Sequence, residues 1–72
     1  MMTHKPDRRL MKDTLFCFGG YVTVLKAGEI CEYFAHSDTF LFPVRDMGSL
    51  RVVPYYPAAF VETHPDWFEV VF

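Results

Sequence analysis

In this 72-residue sequence Cys17, Cys31, His36 and His64 are candidates for metal ligands or nucleophiles. Together they could form a tetrahedral zinc site, and either thiol beside an imidazole could act as a nucleophile. Zinc-binding sequences carry paired ligands at close spacing, such as C-x-x-C or H-x-x-x-H, and no such pair occurs here. Both cysteines lie on predicted strands, Cys17 between two phenylalanines and Cys31 after Ile30, and His36 and His64 lie in predicted loops. We therefore predict no metal, no cofactor and no catalytic residue.

The composition favours binding over catalysis. The sequence has no phosphate-binding loop, no dinucleotide fingerprint and no nucleophile elbow, and a chain this short leaves little room for a pocket that excludes water. Aromatic residues make up 18% of the chain, with eight Phe, four Tyr and one Trp. A small core has few inward positions for them, so we expect some rings to remain at the surface as a contact patch.

Short apolar runs separated by Gly, Pro and Asp predict a single all-β domain, a small barrel of five or six strands. Gly19-Gly20 predicts a two-residue hairpin turn, although the glycines could equally mark a kink in one longer strand. We also expect a tight turn at Arg45–Gly48 and a short 3-10 turn at Pro57–Phe60. The predicted strands are Leu15–Phe18, Tyr21–Leu25, Ile30–Phe34, Thr39–Val44, Ser49–Val53 and Trp67–Phe72, with a brief return to strand pairing at Val61-Glu62.

Positive charge is concentrated near the N-terminus. Residues 1–12 hold four cations against one carboxylate, whereas residues 13–72 hold three cations against eight carboxylates. We expect residues 1–13 to form a flexible basic arm and residues 14–72 to form the barrel. The acidic barrel disfavours a nucleic-acid-binding face. The cations through which the arm could contact phosphate or an acidic partner are Lys5, Arg8, Arg9 and Lys12.

Two motifs, in this order, resemble those of SH3 domains. Leu25-Lys26-Ala27-Gly28-Glu29-Ile30 has the form Leu-x-x-Gly-Asp/Glu-Ile that enters the second strand in that family. Pro57-Ala58-Ala59-Phe60-Val61-Glu62 is similar to the Pro-x-x-Tyr-Val-Glu segment that makes a 3-10 turn before the last strand. The resemblance spans about residues 15–63 and implies an SH3-like barrel. The last ten residues are similar to the endings of small phage-encoded barrel proteins, which implies a phage or bacterial origin.

In the SH3 family, aromatic side chains line a groove that binds polyproline II peptides. The resemblance implies that Pro57 and Phe60 take the places of the groove proline and tyrosine, and that Phe40 takes the place of the groove tryptophan. Phenylalanine lacks the indole N–H and the phenol O–H that hydrogen-bond to peptide carbonyls. We therefore expect the partner to be the folded surface of another protein rather than a proline-rich peptide.

A second aromatic pair lies between two prolines. Tyr55-Tyr56 follows Pro54 and precedes Pro57, so these rings either pack in the core or form a rigid contact surface, and Trp67-Phe68 offers the same alternatives. We expect a non-enzymatic module that binds a partner protein, the identity of which the sequence does not give. The predicted contact residues are Phe40, Tyr55, Tyr56, Pro57, Phe60 and Trp67, with Arg45 and Arg51 as anchors for acidic groups.

Two alternatives to this function stay open. The same aromatic surface could be buried in the homo-oligomer contacts of a structural or assembly subunit, or the basic arm could lead a nucleic-acid-binding barrel. The sequence has no apolar run of roughly 18 residues and no secretory signal, so we expect no membrane partner. With two cysteines and no signal, we expect the protein in the cytoplasm, or in the host cytoplasm for a phage protein, where thiols stay reduced.

Overall fold

The computed structural model describes residues 4–72 and confirms the prediction of an all-β fold. This part of the chain contains nine short strands and one five-residue helix, and no helix in it is long and apolar enough to cross a membrane. The elements are β1 (Arg8–Leu10), β2 (Thr14–Phe18), β3 (Tyr21–Leu25), β4 (Ile30–Phe34), β5 (Thr39–Leu41), β6 (Arg45–Met47), β7 (Leu50–Val52), β8 (Tyr55–Pro57), α1 (Ala58–Glu62) and β9 (Phe68–Val70).

Five of the strands form one curled antiparallel sheet with the shape of half a barrel. The strand order is β8-β5-β4-β1-β9, so the first strand of the chain lies between β4 and β9. The other four strands form two separate hairpins, β2–β3 and β6–β7. The prediction of a small barrel is thus confirmed to the extent that the sheet is a curled half-barrel. The sheet also includes β1, which lies outside residues 14–72, the range predicted for the barrel.

Within the basic arm predicted over residues 1–13, the structure places Arg8–Leu10 in strand β1 of the sheet, and residues 1–3 lie outside the described residues. Strand β1 pairs on one side with β4 and on the other with β9. The Leu10 N–H donates to the Glu29 carbonyl oxygen at 2.8 Å, and the Leu10 carbonyl oxygen accepts from the Gly28 N–H at 2.7 Å. Leu10 and Arg8 are both buried. A three-residue strand with two arginines has too little apolar character to be distinguished from a loop by its pattern alone.

Tight turns close the two hairpins. In β2–β3 the register is unbroken over five residue pairs, and the turn is Gly19-Gly20, as predicted. These glycines have φ of +53° and +85°, a conformation that glycine adopts without strain and that two-residue hairpins need. In β6–β7 the turn lies at Gly48-Ser49 rather than at Arg45–Gly48, because Arg45–Met47 is itself a strand.

One turn of α-helix, α1, stands where a 3-10 turn was predicted at Pro57–Phe60. Pro57 ends β8 and caps the helix N-terminus with φ −57° and ψ 142°. The Thr63 N–H donates to the Ala59 carbonyl oxygen, which is the four-residue spacing of an α-helix. Val61-Glu62 therefore lies in the helix and does not return to strand pairing. Strand β8 has a proline at its end and lies at the edge of the sheet, where a missing N–H is tolerated.

The core lies inside the curl of the sheet. Alternate side chains of the strands point inward, and α1 packs against β5 and β8. Among the described residues, Arg8 is the charged side chain buried with this core; its guanidinium donates to the Pro6 carbonyl oxygen at 2.6 Å. The buried cluster comprises Leu10, Leu25, Cys31, Phe40, Phe42, Ala58, Val61 and Phe68.

Replacing Leu10 with alanine tests the central position of β1. We expect Leu10→Ala to lower the free energy of unfolding by about 2–5 kcal/mol, because the side chain is fully buried and its loss leaves a cavity. Urea unfolding followed by circular dichroism measures the change. Met11→Ala is the matched control, since Met11 is 45% exposed, and it should change stability by less than about 0.5 kcal/mol. Equal effects of the two substitutions would contradict a buried β1.

Candidate protein-binding surface

The sheet divides the predicted contact residues between two faces. In β8, Tyr55 and Pro57 are exposed, whereas Tyr56 between them is half-buried and lies opposite Phe40 of β5. Successive side chains of a strand point to opposite faces, so Tyr55 and Pro57 lie on the outer face and Tyr56 lies on the inner face. Each of the two alternatives for the tyrosine pair therefore applies to one member, with Tyr55 at the surface and Tyr56 against the core.

Phe40 is a core residue, so its prediction as a partner-contacting residue is wrong. Its side chain is 0% exposed. The ring packs against the Tyr33 ring with centroids 5.3 Å apart, and the Arg8 guanidinium lies 5.0 Å from its centroid. Phe40, Pro57 and Phe60 therefore do not form together the groove that the SH3 resemblance implies. Phe40 is buried, Phe60 lies on the inner side of the sheet, and Pro57 lies on the outer face.

An aromatic cluster fills the inner side of the sheet and contains three of the predicted contact residues. Tyr56 stacks on Phe60 with ring centroids 5.3 Å apart, and Phe60 stacks on His64 at 4.0 Å. Trp67 meets Phe60 edge-on at 5.6 Å, and the Lys12 Nζ lies 3.9 Å from the indole centroid. These rings are half-buried and in contact with one another, so the cluster packs α1 and the segment before β9 against the sheet.

The outer face carries an apolar groove that the sequence analysis missed. Its walls are Phe34 of β4, Leu41 of β5, Val53 and Tyr55. Two cavities of about 410 and 350 Å³ share Phe34, Leu41 and Val53 in their linings. Phe34, Val53 and Tyr55 are 46%, 43% and 49% exposed, so three large apolar side chains face solvent together. We call this set of four residues the outer groove.

Strand register brings the walls of the outer groove together. Leu41 lies directly opposite Tyr55 in the pairing of β5 with β8, and Phe34 lies opposite Thr39 in the pairing of β4 with β5. Phe40 points inward between Thr39 and Leu41, so its two neighbours must point outward. The same alternation that fills the core therefore lines the groove.

Polar side chains adjoin the apolar walls of the outer groove, since Glu32 lies opposite Leu41 and Thr39 lies opposite Phe34 in the pairing of β4 with β5. Glu32 lines the first cavity, whereas Ser37 and Thr39 line the second. The hydroxyls of Ser37 and Thr39 are hydrogen-bonded to each other at 2.7 Å. An apolar groove that one carboxylate and a pair of hydroxyls adjoin suits an uncharged, mostly apolar segment, since it offers few groups to pair a charge.

Most of the cationic side chains that were predicted to contact a partner form ion pairs within the chain. The ion pairs are Arg45–Glu29, Arg51–Asp46, Lys5–Glu62 and Arg9–Glu69. Of the other two cations predicted for the basic arm, Arg8 is buried and Lys12 lies over Trp67. None of the residues in these pairs lines the outer groove. The N-terminal cations thus lie against the body of the protein rather than on a separable arm.

No family model, no curated protein and no solved structure matches this chain. Of the predicted contact residues, Tyr55 alone lines the outer groove. Phe34, Leu41 and Val53 were missed, although the alternation of side chains along β4 and β5 was visible in the sequence. That alternation shows that two faces exist, but the covered face is the one against which α1 packs, and α1 contacts β5 and β8 only in the folded chain.

The two cysteines are free and differ in environment. Cys31 of β4 is fully buried, and burial raises the pKa of its thiol to about 11. Cys17 of β2 is exposed. Within residues 4–72, no three His, Cys, Asp or Glu side chains gather into a group that could hold a metal ion. Cys17 is therefore the thiol that reagents in solution can reach.

Thiol labelling of the native protein tests these two environments. At about pH 8, Cys17 should react with a disulfide reagent within the mixing time, whereas Cys31 should react only as the protein opens, because its thiol is buried and stays protonated. Mass spectrometry of the labelled peptides identifies the site. Cys17→Ser is the control and should leave no rapidly reacting thiol until denaturant is added. Rapid native labelling of Cys31 would contradict its burial.

Proposed function

We propose that this chain is a non-enzymatic protein-binding module and that the outer groove holds an apolar segment of its partner. The observation that carries this proposal is the exposure of Phe34, Val53 and Tyr55 around a cavity of about 350 Å³, next to a second cavity of about 410 Å³ that Phe34 and Val53 also line. Exposed apolar side chains that adjoin one another in a concave site are characteristic of interaction surfaces, whereas single exposed ones are common on any protein.

The energetics of burial support an apolar partner. Complete burial of a large apolar side chain stabilises a complex by about 1.5–3 kcal/mol, so covering the exposed half of Phe34 or Val53 contributes about 1 kcal/mol before the cost of association. A charged segment would lose its hydration in the groove and find only Glu32 beside the apolar walls. The partner segment should therefore carry aromatic or aliphatic side chains and few charges.

The scaffold is proposed to be SH3-like. Three landmarks stand in the order that the resemblance implies: strand β4 after the Leu25–Ile30 motif, the β6–β7 hairpin, and a helical turn at Ala58–Glu62 before the last strand. The outer groove differs from the aromatic groove that the resemblance implies, so a partner other than a proline-rich peptide is favoured. A phage or bacterial origin and a cytoplasmic location belong to the same proposal.

Selection from a random library of displayed peptides tests the outer groove. We expect immobilised protein to enrich peptides rich in aromatic and aliphatic residues, because these fill the groove without desolvating charge. Phe34→Lys should lower the retained fraction of those peptides at least about tenfold, since it places an ammonium group among apolar walls.

Val44→Lys is the matched control for this selection. Val44 is 52% exposed and lines neither cavity, and its substitution adds the same charge. Val44→Lys should retain the peptides as wild type does, and circular dichroism should show both variants folded. The groove assignment fails if wild type enriches no peptide, or if Phe34→Lys retains the enriched peptides unchanged.

A further inference from the structure

The β2–β3 hairpin is unusual in having no charged residue. The twelve residues from Thr14 to Leu25 include no Asp, Glu, Lys or Arg, although such residues make up 22% of the chain. Exposed hairpins are normally protected from association by charges, prolines or bulges. This hairpin has none of the three, because its five residue pairs run without interruption and its sequence contains no proline.

The tip of this hairpin projects clear of the body. We define the tip as Phe18, Gly19, Gly20 and Tyr21. Phe18 and Tyr21 lie opposite each other in the register and are 48% and 42% exposed. A Cβ atom added to either glycine would meet no atom within 4 Å, so open space surrounds the turn. The tip therefore presents two adjacent aromatic rings to solvent.

The base of the hairpin is fixed to the body. The Phe16 ring meets the Tyr55 and Tyr56 rings edge-on, with centroids 6.2 and 6.4 Å apart, and Leu25 is fully buried. Beyond Phe16 the strands contact mainly each other. A single chain thus leaves its tip and its outer groove exposed at the same time, although each has the chemistry to cover the other.

We propose that the hairpin tip of one copy of this chain inserts into the outer groove of a second copy. This inference rests on the outer groove being the binding site, and it names the occupant. The tip and the outer groove are both apolar, since the tip has no charged residue and the four walls of the groove are aromatic or aliphatic side chains. They also match in size, because a cavity of roughly 150 Å³ accommodates one benzene ring. The cavity that Phe34, Leu41, Val53 and Tyr55 all line has a volume of about 350 Å³ and has room for two rings.

The contact pairs two different surfaces of the chain, so it does not close on itself as a two-fold dimer does. Each copy offers a tip at one site and a groove at another, and copies add head to tail until a ring closes or a filament grows. The tip contributes only four residues, whereas stable complexes use roughly 20–30 residues a side, so assembly is weak and depends on concentration.

Sedimentation velocity of three lysine variants tests this contact over protein concentrations up to about 1 mM. Phe18→Lys disables the tip, Phe34→Lys disables the groove, and Val44→Lys is a control at an exposed residue outside both. All three substitutions add the same charge. Wild type and Val44→Lys should form species larger than dimers as concentration rises. Phe18→Lys and Phe34→Lys should each stay monomeric at the concentrations at which wild type assembles, because each substitution raises the half-assembly concentration at least about tenfold.

Mixing the two inactive variants distinguishes a head-to-tail contact from other modes of association. A Phe34→Lys chain retains an intact tip, and a Phe18→Lys chain retains an intact groove. An equimolar mixture should therefore form a one-to-one dimer and nothing larger, because the two remaining sites are blocked. Each variant alone, at the same total concentration, should stay monomeric.

Several results would overturn the proposal. Wild type that stays monomeric at every concentration shows that no such contact forms, and a mixture that stays monomeric shows that tip and groove are not partners. Assembly lost in Phe18→Lys but kept in Phe34→Lys indicates a contact between two hairpins instead. Monomeric wild type that binds phosphatidylcholine vesicles through Phe18 indicates a membrane-inserting tip.

The peptide selection keeps the two proposals distinguishable. If Phe34→Lys loses the selected peptides while the variant mixture stays monomeric, the outer groove stands as a binding site and the second copy is the wrong occupant. If Phe34→Lys keeps both the selected peptides and the assembly, the groove assignment and the head-to-tail contact fail together.

Discussion

Three residues near the N-terminus hold the sheet together. Strand β1 (Arg8–Leu10) pairs with β4 on one side and with β9 on the other, and so joins the first half of the chain to its last strand. The Leu10 side chain is fully buried between them, and the adjacent Met11 N–H donates to the Trp67 carbonyl oxygen at 2.7 Å. Without β1, both β4 and β9 would present an unpaired edge and the core would lose its centre.

Polar and apolar side chains are unevenly distributed over the outer face. At the end formed by β1 and β9, Arg9 pairs with Glu69 across the two strands at 2.7 Å. Toward β5 and β8 the outward residues are Leu41 and Tyr55, which lie opposite each other without a charge between them. One face of a single sheet is therefore charged at one end and apolar at the other. The groove lies at the apolar end for this reason.

The high aromatic content serves three physical purposes in this small chain. Phe40 fills the centre of the core, where it contributes buried apolar area. Phe60 and Trp67 pack edge-on in the inner cluster and attach α1 to the rest of the fold. Phe34 and Tyr55 face solvent in the outer groove, as does the tip of the uncharged β2–β3 hairpin. The four ion pairs Lys5–Glu62, Arg9–Glu69, Arg45–Glu29 and Arg51–Asp46 lie outside the residues that line the outer groove.

The sequence by itself determined the all-β class, the Gly19-Gly20 turn and the bounds of β3 and β4, because these depend on neighbours in the chain. A two-residue turn needs positive φ at both positions, and short β-branched and aromatic runs favour strands wherever they lie. Only the tertiary structure decided that Arg8–Leu10 is a strand, since its hydrogen-bond partners are distant in sequence. The tertiary structure likewise decided that Phe40 is buried while Leu41 and Tyr55 face outward. Alternation defines two faces, but the face that becomes the core depends on which distant elements cover it.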